Sequence, residues 1–248
     1  MFTIEKLHKG FGPLTVLDGL DLEVKTGQSV VIIGQSGCGK SVLLKHCAVL
    51  MRPDSGKIIV DGQSLFELPR RDLMAYRQRV GVLFQFGALF DSMTVAENVG
   101  FSLKESLRVK PARIKEVVEE KLALVGLSEI GDKMPAEISG GMKKRVALAR
   151  AIAAEPDILL YDEPTTGLDP ITAMVINELI VDVNKKLGVT SIAVTHDLAS
   201  AFKIADRIVM LYQGKIVYDG SPDETRVTTD PIVHQFINGL SAGPIAVR

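Results

Sequence analysis

SVVIIGQSGCGKS, residues 29–41, is the most informative stretch of the sequence. Its first five residues form an apolar, β-branched run that predicts a buried strand. Residues 42–49 continue with a helical pattern. The segment between them has the spacing G-x-x-x-x-G-K-[ST], which in a strand–loop–helix context predicts a phosphate-binding loop. The loop residues are Gly34, Gln35, Ser36, Gly37, Cys38, Gly39, Lys40 and Ser41.

The residue types in this loop fit a nucleoside triphosphate bound with Mg²⁺. Glycines let the backbone N–H groups converge on a phosphate, and the helix N-terminus adds a favourable dipole. We expect Lys40 to reach the β- and γ-phosphates and the Ser41 hydroxyl to bind Mg²⁺. The alternative is a glycine-rich turn with a surface lysine, and the flanking strand and helix argue against it. Cys38 is expected to supply its backbone N–H rather than redox chemistry.

Short apolar runs alternate with helical patterns along the chain, which predicts an α/β fold. Gln213-Gly214 is a hairpin signal, so we expect an antiparallel edge on a largely parallel sheet. Strand patterns disappear between Phe86 and Pro156, and residues 111–126 have amphipathic helix spacing. The predicted domain, 1–227, therefore has a core of about 1–85 and 156–227, an inserted helical subdomain of about 86–155, and a tail of 228–248 after it. The predicted strands are Leu20–Val24, Ser29–Ile33, Lys57–Val60, Gly81–Phe84, Ile158–Tyr161, Ser191–Thr195, Ile208–Tyr212 and Lys215–Tyr218.

The composition is that of a globular protein and excludes several classes. Lys+Arg number 29 and Asp+Glu 30, so a net charge of -1 gives no electrostatic reason to expect a nucleic-acid partner. Two cysteines are too few for a disulfide scaffold. The first ten residues carry Glu5, Lys6 and Lys9, where a signal peptide needs an apolar stretch. The longest charge-free run, 231–247, contains Pro, Gly, His, Gln and Asn and does not fit a membrane span.

The apolar run of the predicted strand at 158–161 ends in two acidic residues, Asp162 and Glu163. Because successive strand residues point to opposite faces, Asp162 and Glu163 are expected to have different roles. We assign Asp162 to Mg²⁺ and Glu163 to the general base that polarises water. His196 follows another predicted strand, at the end where sites form in parallel sheets. We expect it to contact the γ-phosphate and orient the attacking water.

A second anion site is predicted where Ser139, Gly140 and Gly141 precede a helical pattern at residues 142–154. A serine hydroxyl, backbone N–H groups and a helix dipole together suit a phosphate. One γ-phosphate is already enclosed by the loop that ends at Ser41. The second site therefore needs a separate explanation.

At this point the sequence resembles the nucleotide-binding subunit of ABC transporters. Phe11 matches the aromatic residue that stacks on adenine, and Gln85 the glutamine that joins the Mg²⁺ site to the helical subdomain. Residues 138–142, ISGGM, match the signature motif, Asp169 the D-loop aspartate and His196 the switch histidine. The resemblance covers about residues 2–225. It implies a P-loop NTPase fold, the ABC nucleotide-binding domain, with ATP and Mg²⁺ as cofactors.

The resemblance also implies a head-to-tail homodimer that encloses two ATP molecules. Each phosphate loop would then face the signature of the other subunit, which explains the second anion site, and Asp169 would lie at the subunit boundary. Gln85 would take part in catalysis and in the Mg²⁺ shell. Phe11 replaces the commoner tyrosine and Met142 a common glutamine. Neither departure touches the γ-phosphate machinery.

Four further stretches resemble the ATPase of the bacterial Mla/Mce-type phospholipid transport systems: residues 84–101, Met142, residues 169–172 and the tail after Asp230. That resemblance implies two integral-membrane permease subunits, a lipid-binding Mce-type subunit and a small accessory regulator as partners. It places the ATPase at the cytoplasmic face of the bacterial inner membrane. Apolar tail residues would pack on the opposite subunit; these are Phe236, Ile237, Leu240 and Ile245.

Two other functions share the catalytic motifs. One is the ATPase of an importer for a small polar solute such as an amino acid, which differs only around residues 86–101 and in the tail. The other is a soluble ABC ATPase of DNA repair or translation. ABC ATPases of DNA repair carry a long coiled coil, and those of translation carry two nucleotide domains. This chain shows neither pattern. Lys143-Lys144-Arg145 is interpreted as a solvated or nucleotide-facing surface rather than a nucleic-acid patch.

Overall fold

A computed structural model describes residues 2–246. Within them the chain divides into two compact units, which are the described parts of Met1–Glu67 with Ala193–Arg248, and Leu68–Ile192. The strands are β1 Phe2–Phe11, β2 Leu14–Val24, β3 Ser29–Ile33, β4 Ser55–Val60, β5 Gln63–Ser64, β6 Val80–Leu83, β7 Ile158–Asp162, β8 Thr190–Val194, β9 Arg207–Tyr212 and β10 Lys215–Gly220. The α-helices are α1 Lys40–Cys47, α2 Arg70–Gln78, α3 Val95–Glu105, α4 Pro111–Leu124, α5 Gly140–Ile152, α6 Pro170–Leu187, α7 Leu198–Ile204, α8 Pro222–Val227 and α9 Pro231–Ile237.

The first unit, which includes β1–β5, α1 and α7–α9, has two strand arrangements. β2, β1, β4 and β5 pair antiparallel in that order. Separately, β3 runs parallel to β9, and β9 runs antiparallel to β10. Every residue of β3 is buried, as its apolar sequence requires. The turn between β9 and β10 has positive φ at Gln213 and Gly214, which is the geometry expected of a two-residue hairpin.

The second unit pairs two parallel strands and carries the longer helices. β6 and β7 align from Val80 with Ile158 to Leu83 with Tyr161. α3 packs on α4 and α5, and α5 packs on β6. No strand lies between β6 and β7 in this described stretch. Helix starts follow capping chemistry: Thr94 and Glu97 form a capping box on α3, and Asp169 caps α6 before Pro170.

The predicted α/β class with mixed pairing and an antiparallel edge is confirmed, and all eight predicted strands are present with bounds shifted by a few residues. β1 was not predicted, because Glu5, Lys6 and Lys9 interrupt its apolar alternation. Lys6 has φ 45°, and the pairing of β1 changes register on both sides of the strand. Such a bulge removes the period of two on which strand prediction depends. The predicted boundaries of core, helical subdomain and tail stay a prediction.

Among the described residues, no helix combines the length and the apolar character that a membrane crossing requires.

Candidate functional site

The predicted phosphate loop lies between β3 and α1. Gly39 precedes the helix in a left-handed conformation, with φ 108°. Lys40 is only 6% exposed, and its Nζ donates to the carbonyl oxygens of Gly34 at 2.8 Å and Gln35 at 2.9 Å. The lysine thus closes the loop on itself and holds a positive charge at its centre.

Two glycines in this loop are required by close packing as well as by backbone conformation. A Cβ on Gly34 would lie 2.3 Å from the carbonyl oxygen of Leu211 and 2.9 Å from Cys38 Sγ. A Cβ on Gly39 would lie 3.0 Å from a methyl group of Val16. Both residues also have positive φ, where side chains are rare. The loop is therefore fixed against β9 and β2 by contacts that tolerate no side chain.

A cavity of about 850 Å³ opens beside the loop. Loop residues 35–38 line one part of its wall, and His196, just after β8, lines another. The structure thus brings the predicted histidine to the predicted phosphate loop within one unit. The remaining lining residues are Leu14, Thr15, Val16, Leu198, Tyr212, Gln213, Gly214, Phe236 and Ala246.

Phe11 lies at the end of the β1–β2 hairpin, paired with Leu14 across the turn. Its ring is exposed, with Lys9 Nζ 5.6 Å from the ring centroid. Leu14 is also exposed and lines the cavity. Two apolar side chains at a hairpin end suit contact with an aromatic base. Sequence reasoning did not identify Leu14, because β1 was not predicted and its hairpin with β2 was therefore not recognised.

The C-terminal tail packs beside the same cavity. Gln235 is buried; its Oε1 accepts from Ile245 N at 2.7 Å, and its Nε2 donates to Ile245 O at 3.2 Å. Ile245 is therefore buried within its own chain, and the expectation that the tail packs on an opposite subunit stays a prediction. Leu240 stays exposed, whereas Phe236 lines the cavity.

In the second unit, β7 ends at Asp162 and Glu163 follows it with φ 48°, outside the strand. The strand alternation that predicted opposite faces for these two carboxylates therefore does not extend to Glu163. Glu163 is 8% exposed. Thr166 holds it twice: its N donates to Glu163 O at 3.2 Å, and its Oγ1 lies 3.4 Å from Glu163 Oε2.

Lys144 of α5 reaches the same place. It is 5% exposed, and its Nζ donates to the carbonyl oxygens of Gln85 and Glu163. Burial lowers the pKa of Lys144 to about 8, although the charges of Asp162 and Glu163 act in the opposite direction. The interpretation of Lys143-Lys144-Arg145 as one solvated or nucleotide-facing surface is therefore wrong for Lys144. The structure groups Gln85, Lys144 and Glu163, and sequence reasoning did not identify the lysine.

The chain after Gln85 turns over α5 and leaves apolar groups exposed. Arg150 donates to Gly87 O at 2.6 Å and to Ala88 O at 2.7 Å, which fixes the turn. Phe86 is 78% exposed beyond it. A groove of about 610 Å³ lies in the same unit, and its aromatic wall is formed by Phe84, Phe90 and Phe101.

The signature residues lie at the start of α5, next to the start of α6. Ser139 caps α5, and its Oγ accepts from Met142 N at 3.3 Å. A Cβ on Gly141 would lie 2.7 Å from Thr172 Cγ2, so the two helix starts are in close contact. Hydrogen bonds from Thr172 hold the pKa of the Asp169 carboxyl below its usual range. Ser139, Gly140 and Asp169 are all exposed.

The predicted Mg²⁺ donors are one hydroxyl, one carboxylate and one amide oxygen, from Ser41, Asp162 and Gln85. No group of three or more His, Cys, Asp or Glu side chains that could hold a metal occurs within residues 2–246. Mg²⁺ commonly takes one or two protein carboxylates and completes its shell with phosphate oxygens and water. The donor types therefore fit an ion bound together with a nucleotide.

Comparison with known proteins places these features in a family. The ABC transporter family profile matches residues 17–166. The probable ribonucleotide transport ATP-binding protein mkl of Mycobacterium tuberculosis is 42% identical over 245 residues, covering 98% of this chain and 68% of that protein. The intermembrane phospholipid transport system ATP-binding protein MlaF of Escherichia coli is 41% identical over 237 residues, covering 96% and 88%. The dimeric post-hydrolysis structure of the ATP-binding cassette MJ0796, bound to ADP and Pi, has a TM-score of 0.81 and 31% identity, and covers 90% of this chain and 99% of that one. The chain therefore belongs to the ABC transporter family of ATP-binding proteins.

Proposed function

We propose that this protein is the ATP-hydrolysing subunit of an ABC transporter that moves phospholipid. The observation that carries the proposal is the phosphate loop, held by Lys40 and opening with His196 on a cavity of about 850 Å³. The cargo is inferred from the 41% identity with MlaF, an intermembrane phospholipid transport protein. The predicted resemblance of residues 84–101 and of the tail to that group agrees with this inference.

ATP binds at the loop through backbone N–H groups, with Lys40 facing the phosphates. Mg²⁺, when bound, neutralises charge on the phosphates, and its predicted protein ligands are Ser41, Gln85 and Asp162. Glu163 takes a proton from the attacking water as general base, and the Thr166 hydroxyl, 3.4 Å from Oε2, helps to orient its carboxylate. His196 orients that water or the γ-phosphate. Phe11 stacks on the base.

The working unit is a homodimer in which the signature of each subunit contacts the ATP of the other. The exposure of Ser139, Gly140 and Asp169 supports this, because a second subunit can reach the starts of α5 and α6. The N-terminus of α5 also suits an incoming phosphate. A structural relative, the ATP-binding cassette MJ0796, is dimeric in its post-hydrolysis state with ADP and Pi. ATP binding closes the dimer, and hydrolysis reopens it.

Two permease subunits supply the membrane path, and the ATPase lies on the cytoplasmic face of the bacterial inner membrane. The groove with Phe84, Phe90 and Phe101, and the exposed Phe86 beside Gln85, are suited to receive an apolar helix of the permease. An Mce-type lipid-binding subunit and a small accessory regulator complete the proposed assembly.

Ribonucleotide transport is the second candidate, because the relative mkl is described in those terms and is 42% identical. An amino-acid importer is not favoured by the comparisons. Purifying the tagged chain from detergent-solubilised membranes distinguishes the candidates. Copurification of permease subunits with phospholipid above the level found with an unrelated tagged membrane complex supports the proposal. Copurified permease with bound ribonucleotide, or the absence of any membrane subunit, contradicts it.

A further inference from the structure

Lys144 is a buried lysine whose contacts join three parts of the second unit. It projects from α5, the helix that begins with the signature residues, and is 5% exposed. Its Nζ donates to the backbone oxygen of Gln85, after β6, and to that of Glu163, after β7, at 3.4 Å. One ammonium group therefore connects the signature helix, the Gln85 segment and the proposed general base.

The burial of the charged Lys144 side chain needs an explanation, because burying an ammonium group is unfavourable unless it is compensated. The nearby charges of Asp162 and Glu163 offset only part of that cost, because burial is the larger effect on the pKa of Lys144. Methionine would fill the same space without the cost of desolvation. A purely packing role would therefore not require a cation here.

Glu163 needs external restraint. Its φ of 48° is a conformation that residues other than glycine adopt rarely and keep only when the surroundings impose it. Thr166 contacts both the Glu163 carbonyl oxygen and its carboxylate. Lys144 also contacts this carbonyl oxygen, and it comes from a different element. Removing the Lys144 charge releases one side of the glutamate backbone.

We propose that Lys144 is a positioning residue that fixes the Glu163 backbone, and through it the carboxylate, for catalysis and links its position to Gln85 and the signature helix. The inference rests on the proposed ATPase function. Lys144 acts through Glu163 rather than on ATP itself. Its loss should therefore lower kcat and leave the KM for ATP nearly unchanged, because a base displaced by about 1 Å costs on the order of a hundredfold in rate.

Lys121 of α4 provides a matched control. It is also a buried lysine of the second unit, but its partners are the exposed carboxylates of Glu120 and Glu155. Neither of these glutamates belongs to the proposed site. Lys121→Met therefore removes a buried ammonium without touching Glu163, and it separates general destabilisation from mispositioning.

The test uses the full chain purified with its membrane subunits. We expect Lys144→Met to lower kcat about 10- to 100-fold with KM for ATP within about twofold. Lys144→Arg should recover most of the rate, because it restores the cation. Lys144→Gln keeps a hydrogen-bond donor but has no charge, and its kcat should fall about tenfold. This second variant keeps the test valid even if Lys144→Met does not fold. Lys121→Met should keep the wild-type kcat even if its thermal unfolding midpoint falls.

A double-mutant cycle with Glu163→Gln decides how Lys144 acts. If Lys144 positions the carboxylate, adding Lys144→Met or Lys144→Gln to Glu163→Gln changes single-turnover hydrolysis by less than about twofold, because the group that it positions is already gone. Losses that multiply, a changed KM with unchanged kcat, or wild-type kcat in both uncharged variants would each overturn the inference. No ATP turnover by the wild-type assembly would instead refute the proposed function, so the two failures are distinguishable.

Discussion

Lys40 and Lys144 are both buried, although lysine is seldom buried unless it is paired. The motif predicts Lys40, because its spacing from Gly34 is specific to phosphate loops. No motif separates Lys144 from its neighbours Lys143 and Arg145. Helical periodicity could have done so, since positions 144, 147, 148 and 151 share one face of α5 and are all buried. A charged residue on the apolar face of a helix is thus the signal that sequence reasoning missed.

Among single residues, Lys40 gives the first prediction. Lys40→Ala should weaken ATP binding by about tenfold or more, because hydrogen bonds that involve a charged group contribute about 1.5–3 kcal/mol each. The change also leaves the carbonyl oxygens of Gly34 and Gln35 without the ammonium. Fluorescent ATP titration measures the effect. Lys45→Ala, an exposed residue of the same helix, serves as the control. Unchanged affinity of Lys40→Ala would contradict the phosphate-loop assignment.

At the scale of elements, prediction succeeded where local pattern and environment agree. β3 is buried along its whole length, and its apolar run predicts it without ambiguity. β1 has exposed charged residues at Glu5 and Lys6 and a bulge at Lys6, so the same rule fails. The start of α5 at Gly140 was expected two residues later, because two glycines disfavour helix by propensity. Capping by Ser139 overrides that preference.

The closeness of α5 to β6 gives a prediction about elements. A Cβ on Gly81 would lie 2.2 Å from the carbonyl oxygen of Ala151. Gly81→Ala should therefore lower the free energy of unfolding by about 1–3 kcal/mol through overpacking. Gly131→Ala is the control, because its nearest contact, Ala96 Cβ at 3.4 Å, is at an ordinary van der Waals distance. Thermal unfolding of both variants checks this, and equal midpoints would show that α5 can move away from β6.

At the scale of the whole molecule, one chain carries one phosphate loop and one exposed signature, so two chains are needed for a complete proposed site. Sequence could predict this division because each half is a contiguous motif. It could not predict that Ile245 is covered by its own chain, because that burial depends on Gln235 pairing with a backbone ten residues away. The role of the tail in the dimer stays a prediction.

Glu163→Gln should form an ATP-dependent dimer. The substitution keeps the shape of the side chain and removes the base, so ATP binds, hydrolyses very slowly and holds the closed state. Light scattering should give twice the chain mass with ATP and a smaller mass without it. The double variant with Lys40→Ala should stay monomeric under both conditions. A Glu163→Gln chain that hydrolyses ATP near the wild-type rate would remove Glu163 as the base.

The most direct measurement follows fluorescent phospholipid in vesicles that contain the purified assembly of this chain with its membrane subunits. ATP should drive phospholipid movement, the Glu163→Gln assembly should fail to move phospholipid, and labelled ribonucleotide and amino acid should not move. ATP-driven movement of ribonucleotide or amino acid with no movement of phospholipid would rule out the proposed cargo.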